Sequence, residues 1–332
     1  MMRRSVTVHS RGIVNDDFRQ CELPQFRDVG AADLLTSDIT AAPITEDPVK
    51  ALTEFRALPG DMAVRDAQDL MAYPFFSLAK SKRVAPIHFR TADLAIQVEA
   101  TAEFGMATIW DADVLIWAAS QLVEARDRGL PTSPLLAVTP YEILTFSRRG
   151  TSVRSYHRLK AALDRLQSTT VATSIRQPSG RRLHRFSWIN EWTERFDAAG
   201  RPLGIELVLP DWFYSALLQD GLILTIDPAY FELTGGIERW LYRLVRKHAG
   251  RQAAGWRFDF RHLHAKSGSN AAFRNFAGDL RAIAARQSLP GYQLAVIRRG
   301  SNEQLAFRPT SRRPVGQLIR ELASSLRTGD KQ

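Results

Sequence analysis

The clearest periodicity in the chain lies in "TIWDADVLIWAASQLVEARDRG". There Val114, Trp117, Ala118, Leu122 and Ala125 recur at helical spacing and fall on one stripe. Asp111 stands where an N-cap belongs, and Gly129 where the helix would stop. Upstream, the alternation in Ile87-His88-Phe89 and in Ala95-Ile96-Gln97-Val98 predicts two extended segments or a short hairpin. Downstream, the apolar run Leu135–Val138 predicts a short strand. Thr139-Pro140 then opens a short helix with a capping side chain and a proline at the first helical position, and that helix ends at Arg149-Gly150. Another helix begins at Thr151 or Ser152 in "RRGTSVRSYHRLKAALDRLQSTTV", with Tyr156, Leu159, Leu163 and Leu166 on its inner side. The β-branched run after it, with "RLHRFSWI" beyond, predicts a hairpin turning at Gln177-Pro178-Ser179-Gly180.

Helix, strand, short helix, helix and hairpin is the order of a winged helix, the hairpin being the wing. The same order returns about 118 residues later. "LTGGIERWLYRLVRKHAG" predicts a helix with Ile237, Trp240, Leu241, Leu244 and Val245 inward, and "GWRFDF" a strand. "DFRHLHAKSG" predicts a short helix capped by Asp259 and ended by Gly268. "SNAAFRNFAGDLRAIAARQS" buries Phe273, Phe276, Ala277, Leu280 and Ile283, and "YQLAVIRRGSNEQLAF" turns at Gly300-Ser301-Asn302. Between the copies, "GIELVLPDWFYSALLQDGLILTIDPAYFEL" predicts a strand, a short helix from Asp211 and a strand, forming a bridge. The expected fold is α+β: two tandem winged-helix domains, residues 71–205 and 206–310. Before them lies a flexible acidic leader, residues 1–70, with one short helix near 61–71. After them comes a basic tail, residues 311–332.

Composition fits that reading. The chain has 332 residues, 45% of them hydrophobic and 24% charged, as in an ordinary globular protein. Its single cysteine, Cys21, excludes a disulfide framework and a cysteine-based zinc site and fits a reducing cytoplasm. No stretch is long and apolar enough to predict a membrane span, and no secretory signal is expected at the start. The net charge of +10 is uneven: residues 15–69 carry 12 acidic against 5 basic side chains, whereas residues 70–332 carry 37 basic against 23 acidic. A basic body suggests a polyanion as partner, solubility being the alternative reason for such charge.

The arginines themselves sharpen this. At about 100° per residue, Arg154, Arg158 and Arg165 share a stripe with Ala161, His157 lies beside it, and the leucines point the other way. The expected wing adds Arg176, Arg181, Arg182 and Arg185. A helix of this kind fits the major groove of duplex DNA, where arginine reads guanine edges, and wing arginines meet phosphate. Solvated helix faces usually mix signs, whereas this one is single-signed. In the second copy the equivalent stripe is Asn270, Arg274, Gly278, Arg281 and Ala285, preceded by Lys266, with Arg298 and Arg299 on the wing. Gly278 and Ala285 are either close-approach positions or helix filler.

No catalytic motif is evident. There is no phosphate-binding P-loop, no nucleophile elbow and no HExxH. Asp111 and Asp113 diverge at the start of a helix, where capping and dipole complementarity account for both. His262-Leu263-His264 has the spacing of a nuclease metal pair, but on a helix side chains two apart point about 200° apart. Trp188, Trp192, Trp212, Trp240 and Trp256 are expected in packing roles. The chain calls for no cofactor, no metal and no enzymatic activity.

The wording of the sequence carries a further signal. "YPFFSLAKSKRVAPIHF", "GMATIWDADVLIWAASQLVEARDRG", "TPYEILTFSRRG", "YHRLKAALDRLQSTTVATSIR", "RLHRFSWINEW", "GIELVLPDWFY" and "LTGGIERWLYRLVRKHAGR" together resemble the plasmid replication initiator protein A family of proteobacteria, over roughly residues 72–310. The resemblance implies a protein that binds repeated duplex DNA at a plasmid origin, helps melt adjacent AT-rich DNA and recruits the host initiator and helicase. It further implies a homodimer that represses its own gene beside a monomer that fires the origin. A winged-helix transcriptional repressor and an origin-nicking nuclease using His262 and His264 are the competing readings.

Overall fold

The computed structural model describes residues 53–177, 182–250, 252, 255–299 and 302–310, which belong to one compact unit. In chain order the first elements are β1 (Phe55–Arg56), β2 (Arg65–Ala67), α1 (Gln68–Ala72), β3 (Ile87–Arg90), β4 (Ala95–Glu99), α2 (Ala112–Asp127), β5 (Leu135–Val138), α3 (Pro140–Phe146) and α4 (Val153–Ser168). β6 (Thr170–Thr173), β7 (His184–Ser187), β8 (Glu191–Phe196), β9 (Pro202–Val208), α5 (Asp211–Leu217) and β10 (Ile223–Thr225) follow. A 3-10 turn at Pro228–Glu232 leads into α6 (Gly236–Ala249), β11 (Trp256–Asp259), α7 (Phe260–Ser267), α8 (Phe273–Arg286), β12 (Tyr292–Arg299) and β13 (Asn302–Pro309). The fold is mixed α+β.

Local chemistry sets the helix starts. Thr139 accepts from the Glu142 amide while the Glu142 carboxylate accepts from the Thr139 amide, closing a capping box on α3. Ser152 caps α4 by accepting from the Ser155 amide. Asp111 does not cap its own helix: its carboxylate accepts from the Thr108 amide and is otherwise turned to an arginine of α4. Asp259 likewise makes no cap bond.

Two apolar cores form. One gathers Phe75, Phe76, Trp117, Leu163, Trp188 and Trp212; the other gathers Tyr230, Trp240, Tyr242, Phe260 and Phe276. Helix α2 serves both, giving Trp117 and Leu122 to the first and Ile116 to the second. This explains its almost continuous apolar run. α6 is also buried nearly all round, Ile237 being half-buried at its start, and even Arg239 and Arg243 are enclosed. Each is neutralised by an aspartate from far upstream: Arg243 by Asp66 at 2.6 Å, and Arg239 by Asp113 at 2.8 Å.

Four sheets result, of order β1-β5-β9-β8, β10-β2, β11-β13-β12 and β3-β4-β6-β7. Their connectivity corrects the expected wing. The hairpin β6–β7 pairs through β6 with β4, in a separate sheet from β5. The hairpin joined to β5 is the next one, β8–β9, through antiparallel β9. This order, β5-β9-β8, matches β11-β13-β12 in the later stretch, where β13 of the hairpin likewise pairs antiparallel with the strand after the first helix. β6–β7 is therefore an insertion, packed with β3–β4, between α4 and the hairpin equivalent to β12–β13.

The expected boundaries also shift. Residues 53–70 are built into the unit: β1 runs parallel to β5, β2 pairs with β10, and Phe55, Val64, Asp66 and Leu70 are buried. The short helix expected over 61–71 is confined to α1, because β2 takes the preceding residues. A boundary at residue 205 falls inside β9. The remainder of the leader and the 311–332 tail lie outside the described residues. Gly236 shows how closely the chain is drawn together at the start of α6: a Cβ there would stand 2.0 Å from the Leu78 carbonyl oxygen.

Candidate nucleic-acid interface

Helix α4 turns Leu159, Ala162, Leu163 and Leu166 into the core, with Tyr156 half-buried. The opposite side carries Arg154, His157, Arg158 and Ala161, all exposed. None of Arg154, His157 and Arg158 meets a carboxylate among the described residues. Three cationic neighbours are committed elsewhere. Lys160 pairs with Glu194 of β8 at 2.6 Å, and Arg149 with Asp113 at 2.7 Å, while Arg148 pairs with Glu232.

Arg165 departs from the expected stripe. Its Nε and Nη2 donate to the two Asp111 oxygens at 2.8 Å each, which holds its pKa above the usual arginine value. Asp111 is only 3% exposed at its side chain, so Arg165 fixes the helix rather than reaching outward. Asp113, two residues on, receives Arg149 and Arg239. The aspartates expected to cap α2 thus anchor three arginines from three other parts of the chain.

The other expected contact residues divide in the same way. Arg182 and Arg185 are exposed, whereas Arg181 lies outside the described residues. Arg176 is in the left-handed region at φ 61, pairs with Asp69 at 3.2 Å and lies 3.8 Å over the Trp212 ring. Burial lowers its pKa. It is a packing residue. In the later stretch, Asn270 and Arg274 stand exposed beside exposed Gly278 and Ala285. Arg281 makes a two-point bond to Glu303, with oxygens at 3.1 and 2.6 Å, and Arg298 reaches the same carboxylate at 3.2 Å. Of Arg299 only the backbone is described, in β12. Lys266 is half-buried, its ammonium 4.7 Å from the Tyr73 ring centre and 5.7 Å from that of Phe89.

The hairpin β8–β9 was missed in the sequence and borders α4. Its charges are mixed: Arg195 pairs with Glu54 and Glu206, and Arg201 with Asp197. A groove of about 670 Å³ separates it from the starts of α3 and α4, with His157 and Lys160 on one wall. Its rim carries four exposed apolar side chains, Tyr141, Val153, Phe196 and Leu203.

The two histidines of "HLH" diverge on α7. His262 lies on the Phe258 ring, while His264 Nε2 bonds the Ala271 carbonyl at 2.8 Å. Among the described residues no group of three or more His, Cys, Asp or Glu side chains is placed to hold a metal ion. Nor is any helix there long and apolar enough to cross a membrane.

Comparison with known proteins adds to this geometry. The sequence profile of the Replication initiator protein A family matches residues 65–294. A putative replication protein of Wigglesworthia glossinidia brevipalpis is 31% identical over 228 residues, covering 68% of this chain and 82% of that protein. Among solved structures, domains 2 and 3 of RctB are similar in fold. One crystal structure, of a selenomethionine derivative, gives a TM-score of 0.51 at 16% identity, covering 70% of this chain and 94% of that one. Another gives 0.50 at 16% identity, covering 76% and 100%.

Proposed function

Since the chain belongs to the replication initiator protein A family, we propose that it starts plasmid replication by binding repeated duplex DNA at the origin. In this reading the two α+β copies act as tandem winged helices. α4 lies in the major groove through Arg154, His157 and Arg158, and α8 makes the second contact through Asn270 and Arg274. Arg182 and Arg185 of the inserted hairpin meet phosphate. The protein works in the cytoplasm without a catalytic step of its own, helps melt adjacent DNA, and hands the origin to the host initiator and helicase. A homodimer form acts on its own gene.

The observation that carries this reading is the single-signed exposed face of α4, held outward by Arg165–Asp111 and Lys160–Glu194. Folding alone gives no reason to leave Arg154 and Arg158 unneutralised when so many other arginines of the chain meet acids. Footprinting on DNA flanking the protein's own gene should reveal protected repeats. A plasmid stripped of its initiator should replicate when this gene is supplied. Protected repeats without replication would make it a repressor, and no protection would remove the DNA reading.

A further inference from the structure

Trp256, expected in a packing role, is 45% exposed, whereas the other six tryptophans are buried or half-buried. It begins a strip of rings along β11 and α7. His248, at the end of α6, lies 6.0 Å from Trp256 and edge-on to Phe258 at 5.0 Å. His262 stacks against Phe258, 5.3 Å away with the planes 20° apart. Four residues further along α7, Lys266 reaches the Tyr73 ring, and Lys247 of α6 reaches the same ring at 5.6 Å.

These cations are gathered at a cost. Neither Lys247 nor Lys266 forms an ion pair among the described residues. The nearest acids are already engaged: Asp69 with Arg176, and Asp259 as acceptor from Gln304 Nε2. Burial and Lys247 push the Lys266 ammonium down to about 8, and burial with Lys247, Lys266 and His262 pushes His248 down to about 4. His262 and Lys247 are lowered as well, mainly by burial. His248 Nε2 is enclosed with no hydrogen-bond partner among the described residues. A phosphate group between Lys247 and Lys266 would relieve the repulsion of the two ammonium groups.

We propose that this strip, where the ends of α6 and α7 meet β11, is a second nucleic-acid site that takes an unpaired strand. Bases stack on Trp256 and on the His262–Phe258 pair, and a phosphate lies between Lys247 and Lys266. Aromatic faces suit unpaired bases, because in a duplex those faces are covered by their neighbours and only edges and phosphates remain to be met. The proposal deepens the initiator reading and rests on it for the source of such strands, the melted origin.

The test uses the full chain and fluorescence anisotropy with two probes: a labelled oligo(dT) of about 12 nucleotides and a labelled duplex of random sequence. Trp256→Ala should weaken oligo(dT) binding roughly ten-fold, the scale of one lost base–aromatic stack, and leave the duplex within about two-fold. Trp256→Phe should restore most of the loss. Lys266→Gln should weaken oligo(dT) and flatten its salt dependence. Arg154→Ala with Arg158→Ala should do the converse, weakening the duplex and sparing oligo(dT). Oligo(dT) binding unchanged in Trp256→Ala overturns the proposal, as does equal weakening on both probes. Displacement of oligo(dT) by polyglutamate as readily as by unlabelled oligo(dT) also overturns it, in favour of an acidic protein partner. Loss of duplex binding with oligo(dT) binding intact in the wild type would instead count against the α4 reading alone.

Discussion

Arg165 lays its guanidinium along the Asp111 carboxylate, with Nε and Nη2 each 2.8 Å from an oxygen, and so fixes α4 to the start of α2. Removing the arginine would leave a buried carboxylate with little beyond the Thr108 amide to solvate it. Arg165→Ala is therefore expected to lose about 1–3 kcal/mol of stability, a range below that of fully buried pairs because the guanidinium is partly exposed. Arg165→Lys should recover only part, since an ammonium lacks the fork. Urea unfolding measures this. A variant of unchanged stability that confuses cognate with random DNA would return Arg165 to the contact face.

Arg154 and Arg158 should behave in the opposite way. Each is exposed and unpaired among the described residues, so alanine is expected to change stability by no more than about 0.5 kcal/mol. Binding should suffer: a base contact costs about 1–3 kcal/mol on the cognate repeat and relaxes specificity at one position. A phosphate contact instead weakens all sequences alike and lowers the salt slope by about one. Titration of both variants against cognate and random duplexes at two salt concentrations separates the cases.

The contrast between these arginines shows what a sequence can and cannot carry. A helical wheel correctly separated Leu159, Leu163 and Leu166 from Arg154 and Arg158, because that division follows from the helix itself. It could not show that the last arginine faces Asp111, whose partnership is tertiary. For the same reason α6 read as a one-sided amphipathic helix, although Asp66 and Asp113 arrive from elsewhere to bury Arg239 and Arg243. The hairpin β8–β9 was missed because "EWTERF" is polar with both faces largely exposed, and because its pairing with β5 is a long-range choice. β6–β7 carries the stronger β-branched signal but pairs with β4 instead of β5. Helices α2, α4, α6 and α8 were legible because each carries a continuous apolar stripe or run with a start or stop signal near it.

Asp113 ties α6 to the segment between α3 and α4. It is 3% exposed, bonded by Arg239 from α6 and by Arg149 from the turn between α3 and α4. Asp113→Ala should cost about 3–5 kcal/mol, as when one partner of a buried pair is removed. Replacing Asp113 and Arg239 together by apolar residues should cost much less than the two single changes combined, since no orphan charge remains. A double-mutant cycle on urea midpoints checks this; additive losses would mean that the two do not act as a pair.

Gly268 closes α7 in the left-handed region at φ 62, where a Cβ would stand 2.8 Å from Pro74 Cβ. Its carbonyl accepts from Arg83 Nη1 at 2.6 Å, which docks the turn before α8 against the segment leading into β3. Gly268→Ala combines unfavourable backbone with a steric clash and should lower stability by about 1–3 kcal/mol. The Tm should fall by several degrees, while the affinity of α4 for duplex should survive in the folded fraction.

His248 gives the pH prediction. Burial, with Lys247, Lys266 and His262 beside it, holds it at about 4, below its usual 6.5. Above pH 6.5 neither the folded nor the unfolded chain protonates it. As the pH falls from about 6.5 to about 4, the unfolded chain takes up a proton that the folded chain refuses, so stability is lost across that window. After discounting for partial exposure, the loss due to this group is about 1–2 kcal/mol. Denaturant unfolding at pH 7 and pH 4.5, for the wild type and for His248→Gln, isolates it, because every other titrating group is common to both proteins. The wild type should lose about 1–2 kcal/mol more than the variant. Adding oligo(dT) should shrink that difference, because a phosphate between Lys247 and Lys266 offsets two of the charges that disfavour the protonated ring. Parallel pH responses of the two proteins would show that His248 titrates normally and would remove the electrostatic strain from the strip.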